Sequence, residues 1–466
     1  MQTNPKKLSE RAVLWYSLAA IASFHLAYMI GGCQILLLVF LYSLFQLVNV
    51  RTGRQAFYLG LGIGLAIYSP HLTFFWEIFQ MAAIPLWIIL SCWLGLFFIL
   101  GRMCLIRFGS IGWACAAPFV WMGLEYFRSE LYYLRFSWLN IGYAFSYSSV
   151  LHYFAWYGVY GIGFAFMALA AFLGVVQQKG RLGKVFAGMF LLALVVFPVL
   201  LPASEKFDQK TLRVTGVQLE FPSPAEAISG LNQALKKYPD TDLFVLSEYS
   251  FMGPIPNLVK KWCRTNHKYL VAGGEDPTSP IQYYNTAFVT DPAGEIVFRQ
   301  AKSVPVQFMK DGLPAASQGV WNSPWGKLGF GICYGASYTR VTDRLIRAGA
   351  QALIFPTMDT QDWGGYEHRM HGRIAPMRAA EYAVPVFRLC SSGISQLAAP
   401  TGKVVASAPF PGQEAVMSAQ LQLASGGRIP LDRGLALLSV GITGILAAWF
   451  GIENTLQRRR SKIATP

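Results

Sequence analysis

The sequence predicts a polytopic α-helical membrane domain, with about eight transmembrane helices, joined to a layered α/β domain. Three observations carry this. Hydrophobic residues make up 54% of the 466-residue chain and charged residues 14%, against roughly 45–50% and 25% in soluble domains; mean hydropathy is +0.38. Apolar runs of the length that spans a bilayer recur before residue 205 and once after residue 430. Between them lies a stretch of short strand-like runs separated by Pro and Gly. At about 150 residues per domain the length suggests three units, but this composition excludes three soluble ones, a disordered chain and an ordinary cytosolic enzyme.

A span needs about 20 predominantly apolar residues. Seven fall before residue 205, near 12–30, 34–50, 56–75, 82–101, 110–127, 159–177 and 185–203, and an eighth near 432–451. The net charge, 39 − 24 = +15, could suggest nucleic acid, but its placement points elsewhere. Lys6, Lys7 and Arg11 precede the first span. Arg51 and Arg54, Arg102 and Arg107, then Lys179, Arg181 and Lys184 follow alternate spans, and Arg458, Arg459, Arg460 and Lys462 follow the last. Eight spans with both termini in the cytoplasm satisfy the positive-inside rule at every loop. No small-x-small cleavage site follows the first span, which is read as retained. Nucleic acid is not an expected partner.

That topology puts residues 205–430 on the outer side. The runs Leu212–Gln218, Leu243–Leu246, Tyr269–Gly273, Ala287–Thr290 and Leu328–Ile332 read as strands among helix-compatible segments. Such alternation predicts one α/β domain. The expected division is 1–204, 205–430 and 431–466. Residues 128–158 form an aromatic arm with Trp138, Tyr143, Tyr147, Tyr153 and Trp156. The arm reads equally as an interfacial belt or as a surface element beside a lipid-accessible site. The seven cysteines show no CxxC spacing. Cys33, Cys92, Cys104 and Cys115 lie in apolar segments, as buried thiols commonly do, and no structural metal site is expected.

Three residues of the α/β region end or follow apolar runs: Glu248 after Leu243–Ser247, Lys302 after Ile296–Ala301, and Cys333 after Leu328–Ile332. Groups at strand ends are held rigidly above a sheet. A thiol attacks as thiolate and needs a base and a cation nearby. A desolvated Glu248 could take the proton and Lys302 could stabilise an oxyanion. Singly, each has a plainer reading, as a helix cap, a solvated lysine or a core cysteine.

In this order, and with Tyr284-Asn285-Thr286-Ala287, Asp291-Pro292 and Gly294 before the lysine and Ile332-Cys333-Tyr334 at the third residue, the pattern resembles the nitrilase superfamily. The flanking spans narrow the resemblance to the apolipoprotein N-acyltransferases. So do Glu125-Tyr-Phe-Arg128, Phe136-Ser-Trp138, Gly142-Tyr143, His371, Arg378-Ala-Ala-Glu381 and Pro385-Val-Phe-Arg388. The resemblance implies an αββα sandwich facing the periplasm of a bacterial inner membrane. It also implies Glu248 as base, Lys302 as oxyanion stabiliser and Cys333 as acyl-carrying nucleophile. Tyr334, Trp363, Trp138 and Tyr143 become substrate-contact candidates. The implied partners are a phospholipid acyl donor, a diacylglyceryl lipoprotein acceptor and the membrane, with no cofactor or metal and a monomeric chain. A membrane-anchored amidase, an acyltransferase with a different donor or acceptor, and a non-catalytic lipoprotein-binding module are the alternatives.

The chain departs from the family pattern near the expected cleft. Gly335 stands where a Glu usually follows the nucleophile by two residues. The second Glu after the lysine is absent or replaced by Lys310, and a Trp is missing from Gln218–Pro222. Glu220 is a candidate to compensate for one lost carboxylate. His368 and His371 lack a third ligand at useful spacing and read as structural. Glu125 and Arg128 read as paired with each other or with headgroups, and Gly60, Gly62 and Gly64 as sites of close helix packing.

Overall fold

A computed structural model describes residues 7–176, 207–412 and 415–463. It divides into two compact units. One takes Met1–Ser148, Trp156–Pro202 and Leu431–Pro466, and the other takes Ser149–Ala155 and Ala203–Pro430.

In the helical unit the first helix, Glu10–Met29, is capped by Ser9 and the third, Gly53–His71, by Thr52; each cap side chain accepts a backbone N–H of the first turn. Between them Leu36–Leu47 has 12 residues, about 18 Å at 1.5 Å per residue. It is therefore shorter than the expected second span, because Gly31-Gly32 and the Thr52 cap close in on it from both sides.

The fourth and fifth expected spans form one hydrogen-bonded run, Ala83–Tyr126, turned at Gly109 (φ 71°, ψ −174°). The turn reverses the chain. The Phe97 ring lies 5.4 Å from Trp121 and 5.5 Å from Trp113, whereas a straight helix would hold residues 24 apart at about 36 Å. Phe74–Phe79, Val159–Val176 and Asp432–Ile463 are further described α-helices of this unit. Among the described residues, four helical segments are long and apolar enough to cross a membrane: Glu10–Met29, Phe74–Leu131, Val159–Val176 and Asp432–Gln457. The expected span 185–203 lies outside the described residues.

Gly60 and Gly64, one turn apart, let Gly53–His71 press on the Ala83–Tyr126 run. A Cβ at Gly60 would lie 2.7 Å from Gly95 Cα, and one at Gly64 2.8 Å from Ser91 Cα. Gly62 faces open space, so the packing stripe has helical spacing rather than the alternate spacing read from the sequence.

The arm corrects one expectation. Glu125 and Arg128 form no ion pair with each other. Glu125 Oε1 accepts the Ile141 N–H at 3.1 Å, and Arg128 donates to Asn140 Oδ1 at 2.5 Å. The helix end thus holds the arm through its backbone and its Asn. Trp138 and Tyr143 are buried in this unit, Trp138 stacked on Phe74 at 5.7 Å. Tyr133, Tyr147 and Tyr153 are exposed aromatics of the arm.

The second unit contains two six-stranded sheets. The first orders β12(Val416–Ala424), β1(Phe207–Val217), β2(Leu243–Leu246), β3(Tyr269–Ser279), β4(Gln282–Thr290) and β5(Ile296–Ala301). The second orders β11(Val404–Ser407), β10(Gln396–Ala398), β9(Val386–Cys390), β8(Ala352–Thr357), β7(Lys327–Phe330) and β6(Val320–Asn322). Strands β1–β2–β3 and β7–β8–β9 run parallel, and the outer strands are antiparallel.

The sheets face each other closely enough that a Cβ on Gly216 of β1 would lie 2.3 Å from Leu389 of β9. Helices Pro224–Lys237 and Asn257–Asn266 cover the first sheet with Ala227, Leu231, Val259 and Trp262 packed on Val217, Phe244 and Leu270. Thr339–Arg347 and Ile374–Tyr382 contact the second sheet. This is the expected αββα sandwich.

Gly64→Val should destabilise the helical unit by about 1–3 kcal/mol, the usual cost of overpacking, and lower the melting temperature in detergent by several degrees. Gly62→Ala should leave it unchanged.

Candidate active site

The C-terminal ends of β2, β5, β7 and β8 bring the site together. Glu248 lies two residues beyond β2, Lys302 directly after β5, Cys333 three after β7, and Asp359 two after β8. A tight backbone approach fixes the first: a Cβ on Gly273 would lie 2.6 Å from Glu248 Cα, and the Gly273 N–H donates to Ser247 O at 3.1 Å. Cys333 opens the 3-10 turn Cys333–Ser337 with φ 45°. This left-handed conformation costs a non-glycine residue about 1–3 kcal/mol and is held by the turn around it.

Lys302 Nζ stands between two buried carboxylates, 2.8 Å from Glu248 Oε1 and 2.7 Å from Asp311 Oδ2. Asn285 of β4 donates to both, at 2.6 Å to Glu248 Oε1 and 2.8 Å to Asp311 Oδ1. The Met358 N–H holds Glu248 Oε2 at 2.9 Å. Asp311 also accepts from Val306 N at 2.6 Å and Tyr249 OH at 3.1 Å. Burial would lower the Lys302 pKa, but Asp311 and Glu248 outweigh it and hold the ammonium above its ordinary range. Burial and Glu248 push the Cys333 thiol well up, with Lys302 opposing. At rest Cys333 is a protonated thiol beside the Glu248–Lys302 pair.

Asp311 was missed from sequence. It corrects the expectation that the second carboxylate is absent or replaced by Lys310, for Lys310 is exposed and the next residue turns inward. Gly312, at φ 75°, follows it. Glu220 does not take that place either. Its Oε2 accepts from Gln361 N at 2.9 Å and Ser392 Oγ at 2.6 Å, anchoring the Gln361–Trp363 turn on which half-buried Trp363 sits. At Gly335 a Cβ would meet no atom within 4 Å. Tyr334 is buried beside Cys333, edge-on to Tyr338 at 5.1 Å.

A second unforeseen element clamps the nucleophile turn. Arg378, fully buried, donates to Ala336 O and Ser337 O, each at 2.8 Å, and pairs with Glu381. Beyond it, Asp359 accepts from His371 Nδ1 at 2.7 Å and from Arg388 at 2.6 Å. Cys333, Asp359 and His371 have their ligand-type atoms within 4.8 Å of one another, but both Asp359 oxygens are committed to these cations. His368 Nε2 contacts Thr360 O at 2.9 Å. All seven cysteines are free thiols.

Residues 18–172 match the family described as apolipoprotein N-acyltransferase N-terminal domain, and residues 231–430 match carbon-nitrogen hydrolase. The apolipoprotein N-acyltransferase of Geobacter metallireducens is 24% identical over 437 residues, covering 81% of this chain and 83% of that protein. That of Bdellovibrio bacteriovorus is 22% identical over 218 residues, covering 38% and 40%. The chain belongs to the apolipoprotein N-acyltransferase family. It is a membrane member of the nitrilase superfamily. Among solved structures, Saccharomyces cerevisiae Nit3 is 22% identical with a TM-score of 0.41, covering 47% of this chain and 93% of that one.

Two results are expected. Arg378→Ala removes the buried cation paired with Glu381 and the donor to two carbonyls, and should cost about 3–5 kcal/mol, read as a fall in denaturation midpoint. The pH dependence of stability has two limbs. Burial would raise the Asp359 pKa, but Arg388 and His371 hold it well below the usual carboxylate range, so its stabilisation is complete above about pH 4 and is lost as the pH falls through the lowered value. Burial would lower the His371 pKa, but Asp359 raises it, so its stabilisation is complete below about pH 6.5 and is lost as the pH rises through the raised value. His371→Gln should flatten the alkaline limb of melting temperature against pH.

Proposed function

We propose that this N-acyltransferase takes an acyl chain from a phospholipid, holds it as a thioester on Cys333, and passes it to the α-amine of a lipoprotein's diacylglyceryl-cysteine. The observation that carries the reading is the buried Glu248–Lys302–Asp311 cluster beside the Cys333 thiol, in a chain matching the apolipoprotein N-acyltransferase N-terminal domain over 18–172.

In the first half-reaction Glu248 takes the Sγ proton as the thiolate attacks the donor ester carbonyl. Lys302 Nζ faces the oxyanion that forms. Collapse breaks the ester C–O bond, and the proton on Glu248 goes to the departing lysophospholipid oxygen. In the second, the neutral α-amine attacks the thioester carbon and loses its proton to Glu248. The C–S bond breaks, and the thiolate recovers that proton. No bond energy from ATP is needed, because the thioester conserves that of the donor ester. Asp311 holds Lys302 charged and in place. Tyr334 and the Trp363 turn flank the approach to Cys333 in this reading.

We assign residues 1–204 and 431–466 to a multi-pass part in the bacterial inner membrane, with its arm at 128–158, and residues 205–430 to a periplasmic catalytic domain. The basic loops after alternate spans support this orientation. Both substrates are amphiphiles, so a membrane enzyme spares them transfer into water at about 0.8 kcal/mol per CH₂. A monomer suffices for all the groups named.

Hydrolysis of the same thioester by water would make the chain an amidase or esterase, so the assay must distinguish acceptors. With phospholipid and a diacylglyceryl lipopeptide, the rate should follow ping-pong kinetics. Cys333→Ala should lose at least about 10³-fold in turnover, and Glu248→Gln about 10²–10⁴-fold. Release of free fatty acid in place of acylated lipopeptide would contradict the transferase reading.

A further inference from the structure

The groups around Cys333 are asymmetric in charge. On one side Lys302 is shared by Glu248 and Asp311, one cation against two carboxylates, so this side opposes a thiolate. On the other side, Cys333 Sγ, an Asp359 oxygen and a His371 ring nitrogen lie within 4.8 Å of one another. Asp359 is 0% exposed, and Arg388 and His371 each 2%. Its Oδ1 meets His371 Nδ1 at 2.7 Å and its Oδ2 meets Arg388 at 2.6 Å.

The carboxylate is locked in place. The Asp359 N–H donates to Ser391 Oγ at 3.1 Å, and Asp359 O accepts the Ser392 N–H at 3.1 Å. A Cβ on Gly393 would lie 2.3 Å from Asp359 Oδ2. Asp359 by itself opposes a Cys333 thiolate, and Arg388 and His371 are the two cations set against it.

We propose that His371, held by Asp359, is a positioning residue whose imidazolium supplies the positive charge that favours the Cys333 thiolate when Glu248 takes its proton. The inference rests on Cys333 as the nucleophile. The other titratable and charged groups around His371 are Glu367, 3.5 Å from Nδ1, with His368, Arg388 and Cys390 in the same network. Burial and Asp359 both raise the Glu367 pKa, with His371 opposing. Asp359 raises that of His371 against the effect of burial.

The test is the pH profile of Cys333 alkylation by iodoacetamide on the full chain in detergent, read on the Cys333 peptide by mass spectrometry. It needs neither acyl donor nor acceptor, so its failure is separate from failure of acyl transfer. His371→Gln should raise the apparent thiol pKa by about one unit and slow alkylation about tenfold at neutral pH. His371→Lys, which keeps the cation, should restore the wild-type profile. Thermal melting checks that each variant is folded. A folded His371→Gln with the wild-type thiol pKa overturns the proposal. Should His371→Gln not fold, His371→Lys decides: a wild-type thiol pKa supports the role and a raised one overturns it.

Discussion

The site depends on one interaction, the burial of Lys302 between Glu248 and Asp311. An ammonium taken out of water without partners would shed its proton. Two carboxylates at 2.8 and 2.7 Å keep it charged, and Asn285 donates to both so that they tolerate each other. The geometry follows from strand ends. The Glu248 backbone can approach β3 only because Gly273 has no side chain, and β5 ends where Lys302 begins. Cys333 is then presented by a strained turn that Arg378 holds through two carbonyls. Removing Lys302 would leave two buried like charges facing each other.

The helical unit solves a different problem. In lipid no apolar driving force brings helices together, so close packing of small residues must do so. Gly60 and Gly64 supply it against Gly95 and Ser91. Two polar groups at and just beyond the end of the Ala83–Tyr126 run reach the arm, Glu125 through Ile141 N and Arg128 through Asn140. Two neighbouring polar side chains at a span end here fix a loop.

Much of this was legible in the sequence because the signals were local. Apolar runs gave the described spans, and apolar runs ending in Glu248, Lys302 and Cys333 gave the residues that the fold brings together. What escaped was non-local. Asp311 sits on an irregular segment where the expected carboxylate was sought at a fixed spacing and as Glu. Its function comes from Tyr249, Asn285 and Val306, none adjacent in sequence. Glu220 looked available for the same task, yet Gln361 and Ser392 occupy it. Trp138 and Tyr143 carry polar tips and aromatic faces that suit either a lipid interface or a core, and only their packing partners tell the two apart. Gly109, with φ 71°, makes the turn between the two spans expected at 82–101 and 110–127.

The central claim is that Cys333 carries the acyl chain with Glu248 receiving its proton. The most direct measurement is the intact mass of the protein after incubation in detergent with a phospholipid of defined chains, before any acceptor is added. The account predicts a mass gain equal to one acyl group, located on the Cys333 peptide, released by hydroxylamine and absent from Cys333→Ala. An unchanged mass across the common phospholipids, or an acyl group located on another residue, would contradict it.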